Sequence, residues 1–260
     1  MKHPQANIHP GAEVAEGVEI MPFATIEDNV VIGEGSKIYP NAVVMKGARL
    51  GKNVKVFPGA VISGEPQDLK FQGEESSLEV GDNTVIREFV TVSRGTDAGI
   101  GKTVIGKNCL LMAYTHVAHD CQIGNNCILV NAVQVAGHVS IDDYAIIGGT
   151  SAVHQFVHVG AHVMVSGGSL VRKDIPPYVT AGREPLAYCG VNSIGLRRRG
   201  YTSDKIQEIQ EIYRIIYQSG LNNSKALDQI ENEFADSEER DQIVKFVRGS
   251  DRGILRGLFQ

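Results

Sequence analysis

Residues 105–140, written in sixes as IGKNCL-LMAYTH-VAHDCQ-IGNNCI-LVNAVQ-VAGHVS, place an aliphatic residue first and a small residue or valine fifth in every six. The aliphatic position recurs without exception from Ile8 to Ile62 and from Ile105 to Val171. An α-helix cannot follow this pattern, because its period of 3.6 residues does not divide six and recurrent glycine would weaken it. Short strands joined by tight bends satisfy it, and three of them close a triangular coil. The sequence therefore predicts a hexapeptide parallel β-helix.

The composition agrees with a narrow, regular β interior. The chain of 260 residues contains 29 glycines, no tryptophan and only 6% aromatic residues. Small side chains therefore have to fill the core. The net charge of −5 argues against general nucleic-acid binding. The sequence has neither a signal-like apolar region nor a long apolar run, so we expect no membrane span and a cytoplasmic location.

The cysteines fit the repeat rather than a metal site or a disulfide. Cys109, Cys121 and Cys127 all fall at the fifth position of their sixes, and Cys189 follows the repeat. No C-x-x-C spacing occurs. We therefore predict that the first three are small interior residues.

The repeat is interrupted twice. Charged residues replace the expected aliphatics near 63–79, and an out-of-phase segment follows near 93–104. Both segments are predicted to be loops that leave the coil, where functional residues are often found. Harmless insertion is the alternative interpretation.

The chain changes character after the last repeat. Pro176–Pro177 is predicted to end regular structure. From Thr202 the apolar period becomes helical, Gly220 is a stop signal, and shorter helical segments are predicted near 223–233 and 237–248. We therefore expect a β-helix over residues 1–190 and a small α-helical domain over residues 191–260.

An 18-residue coil brings separated polar residues together. Residues one coil apart lie about 4.8 Å from each other, so Gly137 should lie above His119 and Gln155 above Gly137. His138 should likewise lie above Asp120. The outward positions of this side of the prism carry four histidines and a carboxylate: His116, His119, His138, His154 and Asp120. Such a cluster indicates a functional site.

The residue types in this cluster point to acyl transfer. A neutral imidazole is the commonest general base near neutral pH, and Asp120 is the candidate that would orient it. Gly137 has no side chain and can offer its N–H to an oxyanion. The cluster has no serine or cysteine, which favours direct transfer to a hydroxyl over a covalent intermediate.

The order of the motifs is specific enough to suggest a family. The motifs are QDLK at 67–70, HVAHDC at 116–121, AGHVSIDDYAIIGG at 136–149, AVHQF at 152–156, GAHVMV at 160–165, DIPPYV at 174–179 and GVNSIGLRRRG at 190–200. With these motifs in this order, the chain resembles the UDP-N-acetylglucosamine acyltransferases of lipid A biosynthesis, and the resemblance covers nearly its whole length.

The resemblance implies a left-handed β-helix and a specific reaction. These enzymes move an (R)-3-hydroxyacyl group from acyl carrier protein to the 3-hydroxyl of UDP-N-acetylglucosamine, the first step of lipid A biosynthesis. They use neither a cofactor nor a metal. They are homotrimers with active sites between subunits, so a homotrimer is expected here.

The resemblance also assigns roles by motif. His119 would be the general base, Asp120 its orienting partner, and Gly137 the oxyanion donor. Gly167 would be the acyl-chain ruler, where glycine predicts a long chain. The substrate-binding residues would be Gln67, Asp68, Lys70, His116, His138, His154, Gln155, Asn192 and Arg198, with the last two reaching a neighbouring subunit's cleft.

Acyl carrier protein is acidic, so basic residues near the end of the repeat are candidates for steering it. They are Arg172, Lys173, Arg183, Arg197, Arg198, Arg199 and Lys205. Family members often carry a histidine in the segment that reads TAGREPLAYCG here, and this chain has none after His162. Contacts from residues 182–189 therefore do not carry over.

Three other interpretations of the sequence remain open. The first is the related N-acyltransferase, which has an additional N-terminal domain, whereas the repeats here begin at Ile8. The second is a zinc hydratase on the same scaffold, which Asp120 and QDLK argue against and which bound zinc would support. The third is a non-catalytic solenoid, which would lose no turnover on His119→Ala. The acceptor could also be the 3-amino analogue of UDP-N-acetylglucosamine.

Overall fold

A computed structural model describes residues 1–257 as a three-sided parallel β-helix followed by four helices. One sheet contains β1 (Asn7–Ile8), β4 (Thr25–Ile26), β7 (Val43–Val44), β10 (Val61–Gly64), β13 (Thr91–Ser93), β16 (His116–Val117), β19 (Gln134–Val135), β22 (Ala152–Val153) and β25 (Leu170–Val171). The second contains β2 (Glu13–Val14), β5 (Val31–Ile32), β8 (Ala48–Leu50), β11 (Ser77–Val80), β14 (Lys102–Ile105), β17 (Gln122–Ile123), β20 (Ser140–Ile141) and β23 (His158–Val159). The third contains β3 (Glu19–Ile20), β6 (Lys37–Ile38), β9 (Lys55–Val56), β12 (Val85–Ile86), β15 (Leu110–Leu111), β18 (Ile128–Leu129), β21 (Ile146–Ile147), β24 (Met164–Val165), β26 (Val179–Gly182) and β27 (Ala187–Val191).

The register confirms the predicted coil. His116 pairs with Gln134 and Val117 with Val135, which is a step of 18 residues. The last residue of each two-residue strand is the aliphatic first position, and from Ile20 onward it is buried inside the prism. Burying each of these side chains contributes about 1.5–3 kcal/mol relative to leaving it exposed. The fifth residue of each six is buried as well, and its small side chain lets the faces of the narrow prism approach one another.

Corner residues turn the chain through the left-handed backbone region. Asn108, Asp120 and Asn126 have φ of 56°, 59° and 58°, a conformation that Asn and Asp tolerate better than most residues. Cys109, Cys121 and Cys127 are buried, as predicted, and Cys189 is exposed. Burial raises the pKa of the Cys121 thiol to about 12, so this thiol is an inert packing group.

Both interruptions of the repeat leave the solenoid between strands of consecutive faces. The first projecting segment, residues 65–76, connects β10 to β11, and the second, residues 94–101, connects β13 to β14. The flanking strands β10, β11 and β14 each have four residues, which makes them longer than most other strands. The solenoid continues in register on both sides of each segment.

The expectation that Pro176–Pro177 ends regular structure was wrong. β26 follows the two prolines and pairs in parallel with β24, matching Met164 with Thr180. The prolines lie in a corner, packed on the preceding coil, where the missing N–H breaks no ladder hydrogen bond. β27 then pairs with β26 in the antiparallel direction and ends the solenoid.

The helices begin close to the predicted positions. They are α1 (Ser193–Arg198), α2 (Ser203–Gln218), α3 (Asn223–Glu233) and α4 (Glu238–Arg248). Thr202, Asn222 and Ser237 cap α2, α3 and α4 by accepting a backbone N–H three residues later. The sequence did not predict α1, which is only six residues long. Within residues 1–257, no helix combines the length and the apolar character that crossing a bilayer requires.

Candidate active site

His119 and Asp120 form a hydrogen-bonded pair at the corner that follows β16. The Nδ1 atom of His119 lies 2.8 Å from Oδ2 of Asp120. The side chain of His119 is 13% exposed, whereas that of Asp120 is 0% exposed. An ionised carboxylate at Nδ1 fixes the tautomer that carries its proton on Nδ1 and leaves the Nε2 lone pair free. The pair therefore presents a base toward the surface.

Asp120 faces outward from the coil, yet the segment 94–101 covers it. Sequence reasoning placed this residue at an outward position and did not foresee its burial. Its carboxylate accepts hydrogen bonds from the Thr96 N–H, the Thr96 hydroxyl and the Ile100 N–H at 3.1, 2.7 and 3.0 Å. Burial opposes ionisation, but the hydrogen bonds from Thr96 and His119 outweigh it and lower the pKa of the Asp120 carboxyl.

Gly137 lies against the imidazole of His119, one coil further along, as predicted. A Cβ atom at this position would come within 2.7 Å of Cε1 and 2.8 Å of Nε2 of His119. The close approach of the ring therefore requires glycine here.

Among the described residues the Gly137 N–H is unpaired, as are the N–H groups of several residues at equivalent corner positions, such as His119 and Asn131. At three other corners the N–H at this position donates to an Asp or Asn one coil away: Lys52 to Asp82 at 2.8 Å, Lys107 to Asn125 at 2.9 Å and Asn125 to Asp143 at 2.6 Å. Among residues 1–257, the Gly137 N–H has no such acceptor. It remains available to an oxyanion beside His119.

His116 and His138 flank the pair. The ring of His138 packs edge-on against His119 with centroids 5.0 Å apart, and it stacks on Phe156 at 4.6 Å. His116 Nδ1 lies 2.7 Å from the Thr91 hydroxyl. Burial lowers the pKa of both histidines, and the charge of His119 lowers it further. Two neutral imidazoles therefore line the site beside the proposed base.

The segment 65–76 brings Asp68 and Lys70 to the same corner. Asp68 Oδ2 lies 3.9 Å from His119 Nε2, on the ring edge opposite Asp120. Asp68 also accepts the Lys70 N–H at 3.0 Å, and the charge of Lys70 acts on His138. Gln67 is exposed in this segment, next to fully exposed Leu69. The open side of the site therefore has polar groups of both signs.

His154 and Gln155 lie at the same corner, one coil beyond Gly137. Both are exposed, and His154 Nδ1 lies 3.1 Å from the Gln155 carbonyl oxygen and 3.3 Å from Nη2 of Arg252. The column predicted from the 18-residue register is therefore present from His119 through Gly137 to Gln155.

Three predicted residues lie away from the His119 corner of the same chain. Gly167 follows β24, in the column of Asn131 and Gly149, and is exposed. Asn192 is buried, donates to the His162 carbonyl oxygen at 2.9 Å and accepts the Gly195 N–H at the start of α1. Arg198 is exposed in the last turn of α1. Within one chain these residues do not join the His119 corner.

The side chains of His158 and His162 pack against other parts of the protein and do not face the His119 corner. His158 Nε2 lies 2.9 Å from Asp142 and its ring packs on Phe246 of α4. His162 stacks between Tyr144 and Tyr178, with centroids 4.9 and 5.5 Å away. Both rings help to dock the C-terminal segment on the solenoid.

The basic residues near the end of the repeat separate into two groups. Arg172, Lys173 and Arg183 line a depression of about 540 Å³ together with Arg256. Arg199 instead donates to the Tyr144 carbonyl oxygen at 3.0 Å. Lys205 pairs with Glu239 at 2.8 Å. The last two are therefore engaged in packing and ion pairs.

The ligand atoms of His119, Asp120 and His138 lie within 4.8 Å of one another, so their suitability for a metal has to be considered. Both oxygens of Asp120 already accept hydrogen bonds from the segment 94–101 or from His119. A cation would have to displace several of these donors, so the arrangement suits a hydrogen-bonded base better than a metal centre.

Sequence reasoning missed Thr96, Gly99, Ile100 and Thr103. The Thr103 hydroxyl accepts the Asp120 N–H at 2.9 Å, and a Cβ at Gly99 would lie 2.2–2.5 Å from the Asp120 carboxylate. The single signal in the sequence was the loss of phase between Val92 and Ile105. That signal indicates a loop but not the residue that the loop covers.

Comparison with known proteins gives a consistent result. Residues 29–64 and 102–137 match the family model described as bacterial transferase hexapeptide, and residues 174–255 match that of UDP-N-acetylglucosamine O-acyltransferase, domain 2. The acyl-[acyl-carrier-protein]–UDP-N-acetylglucosamine O-acyltransferase of Trichlorobacter lovleyi is 53% identical over 98% of this chain and 99% of its own. That of Chlorobaculum parvum is 56% identical over 96% and 95%.

Solved structures agree with the sequence relatives. A UDP-N-acetylglucosamine acyltransferase from Bacteroides fragilis superposes with a TM-score of 0.96 at 54% identity, over 98% of this chain and 100% of that chain. The enzyme from Francisella novicida gives 0.96 at 39% identity, over 99% and 95%. Identity at this level over the full length shows that the chain belongs to the UDP-N-acetylglucosamine O-acyltransferase family.

Proposed function

We propose that this protein transfers an (R)-3-hydroxyacyl group from acyl carrier protein to the 3-hydroxyl of UDP-N-acetylglucosamine, the first step of lipid A biosynthesis. The names of its relatives support the donor and the acceptor. The observation that carries the chemistry is the pairing of His119 Nδ1 with buried Asp120, which leaves Nε2 free beside the unpaired Gly137 N–H.

The proposed reaction proceeds in two steps. His119 Nε2 removes the proton of the sugar 3-hydroxyl while the oxygen attacks the thioester carbonyl carbon, forming a C–O bond. The Gly137 N–H donates to the resulting oxyanion. The intermediate then collapses, the C–S bond breaks, and the imidazolium returns its proton to the sulfur of the carrier. Asp120 stays ionised throughout and stabilises the positive charge on the ring.

Direct transfer fits the surroundings of His119. Among residues 1–257, no serine or cysteine side chain is hydrogen-bonded to this imidazole. A covalent acyl-enzyme would need such a nucleophile next to the base.

Asp68 and Lys70 are proposed to contact the sugar nucleotide, because they face the open edge of His119. Gln67, His116, His138, His154 and Gln155 are proposed to line the same cleft. Asn192, Arg198 and Gly167 lie away from the His119 corner, so they would complete the cleft only from a neighbouring subunit. This arrangement supports the proposed homotrimer, in which Gly167 would limit the acyl groove and Arg198 would face a diphosphate.

The basic depression of Arg172, Lys173 and Arg183 is a candidate for attracting the acidic carrier protein. No cofactor is needed for the proposed steps, and a cytoplasmic location would give access to the carrier protein.

Mass spectrometry of products tests this function. Purified protein is incubated with UDP-N-acetylglucosamine and a series of 3-hydroxyacyl carrier proteins of increasing chain length, with His119→Ala as the control. We expect a 3-O-acyl ester with one long chain strongly preferred. A parallel reaction with the 3-amino analogue decides the acceptor. Failure to form product from either acceptor with any chain length would contradict the proposed function.

A further inference from the structure

The segment 94–101 encloses one face of the Asp120 carboxylate and determines which of its lone pairs remain for His119. The Thr96 and Ile100 N–H groups both donate to Oδ1. The Thr96 hydroxyl donates to Oδ2, the same oxygen that faces His119 Nδ1. Thr96 itself is 1% exposed, so water does not substitute for its hydroxyl.

The segment reaches Asp120 because of a specific glycine. A methyl group at Gly99 would lie within 2.2–2.5 Å of three carboxylate atoms, so any side chain there would push the segment away. On the other side, the Thr103 hydroxyl accepts the Asp120 N–H at 2.9 Å. The carboxylate is thus held from both directions.

The segment is in turn attached to the rest of the site. Arg94 is 7% exposed; it donates to the Ser63 carbonyl oxygen at 3.2 Å and lies over the ring of Phe71 at 5.2 Å. The Glu74 carboxylate accepts the Asp97 N–H at 3.2 Å. These contacts join the segment 94–101 to the segment 65–76, which contains Asp68. The position of Thr96 is therefore fixed relative to both edges of the His119 ring.

We propose that Thr96 is a positioning residue for acyl transfer, which acts through Asp120 to orient His119 and to set how strongly the carboxylate attracts the imidazole proton. The inference rests on the proposed function of His119 as the base. Thr96 does not touch the reacting atoms. Its hydroxyl shares Oδ2 with the imidazole, so its loss would leave more negative charge facing Nδ1–H and would allow the carboxylate to rotate.

The pH dependence has to be judged against every charged or titratable group near the pair. His119 faces Asp120 at 2.8 Å, Asp68 at 3.9 Å and the ring of His138 at 5.0 Å, and the charges of His116 and His119 also interact. Lys70 acts on this cluster through His138. Thr96→Val leaves all these groups in place and removes only the hydroxyl, so a change in the profile is attributable to that donor.

The test is a kinetic pH series with Thr96→Val, Thr96→Ser and a matched control, Thr84→Val. Thr84 is a buried threonine of the same solenoid whose hydroxyl donates to the Gly106 carbonyl oxygen at 2.7 Å, away from the site. For Thr96→Val we expect kcat to fall roughly tenfold with the KM for UDP-N-acetylglucosamine unchanged. The acid limb of kcat/KM should move upward by about half a pH unit. Thr96→Ser should restore both values, and Thr84→Val should leave both unchanged.

A second readout does not depend on turnover. The His119 ring resonance, assigned with His119→Gln, is followed by NMR across pH in the full-length wild-type protein and in Thr96→Val. An upward movement of its titration midpoint supports the inference even if wild-type protein does not acylate UDP-N-acetylglucosamine. If Thr96→Val does not fold, Gly99→Ala displaces the same segment and should produce the same movement. An unchanged midpoint in a folded variant, or a fall in activity that Thr96→Ser fails to rescue, overturns the inference.

Discussion

His119 and His162 both point outward from corners of one solenoid, yet their rings meet opposite surroundings. His119 bonds an ionised carboxylate through Nδ1 and keeps Nε2 free. His162 is stacked between Tyr144 and Tyr178, meets the edge of Tyr201 at 5.4 Å, and has a buried Nδ1 without a partner among the described residues. Burial, and then the charge of Arg199, lower the pKa of His162 to about 4.

The difference shows that an outward-facing position in the repeat does not by itself determine the role of a histidine side chain. A carboxylate next to His119 stabilises the protonated ring that a general base must form during turnover. Burial, followed by the charge of a nearby guanidinium, disfavours the same protonated form at His162. An outward position of the repeat can therefore carry a histidine suited to accepting a proton or one held neutral, and the neighbouring coils decide which one results.

The most decisive test of this comparison replaces each of the two histidines by glutamine. For His119→Gln we expect kcat to fall about 10³-fold, because the amide cannot accept the hydroxyl proton. His162→Gln, the matched control, should keep kcat within about threefold and lower thermal stability instead. Steady-state kinetics and thermal unfolding of both variants provide the measurements. Substantial turnover in His119→Gln, or its loss in a folded His162→Gln, would reverse the assignment.

A smaller effect is expected when the ring of His119 is displaced rather than removed. Gly137→Ala adds a methyl group within 2.7 Å of Cε1, so the imidazole must rotate away from the unpaired N–H. We expect kcat to fall about 10²-fold, as for a misplacement of about 1 Å. In Gly64→Ala, by contrast, the new methyl group meets nothing closer than 3.8 Å, and kcat should remain unchanged. Equal activity in these two variants would contradict the close packing of His119 on Gly137.

The smallest effect concerns stability at His162. Its folded pKa is about 4, whereas an unfolded histidine titrates near 6.5. Between these values the unfolded chain binds the additional proton, so the stability contributed by neutral His162 is fully present above about pH 6.5 and is lost progressively as the pH falls toward 4. His162→Phe keeps a stacked ring and removes this titration.

Thermal unfolding between pH 7 and pH 5 provides the measurement. The unfolding temperature of the wild-type protein should fall by about 4 °C more than that of His162→Phe over this interval. His116 and His138 are present in both proteins, so their contributions cancel. Parallel curves for the two proteins would mean that the tyrosine stack does not exclude the proton.

The sequence predicted most of the solenoid because its signal is periodic. An aliphatic residue every six positions determined the strands and the 18-residue register, and the register placed Gly137 and Gln155 in the column of His119. The C-terminal helices could also be predicted from the sequence, because their N-caps and apolar faces follow local rules.

The parts that were missed lack such a period. The cover over Asp120 depends on tertiary contacts of Thr96 and Ile100, which no local pattern encodes. Pro176–Pro177 was misread because proline ends a strand in isolation, whereas a corner of the coil accommodates it. The six-residue helix α1 and the reversed strand β27 form where the chain packs back on the solenoid. Local sequence signals are therefore weakest where the chain departs from the repeat.

The 18-residue register also determines where this chain could change in length during evolution. A complete coil added before Ile62 or after Gln155 would lengthen the prism by about 4.8 Å and leave every contact of His119 intact. The same insertion between Thr96 and His119 would separate Asp120 from Thr96, and an insertion between Asp120 and Gly137 would separate the ring of His119 from Gly137. The molecule thus contains a stretch of fixed length flanked by stretches that can grow or shrink in whole coils.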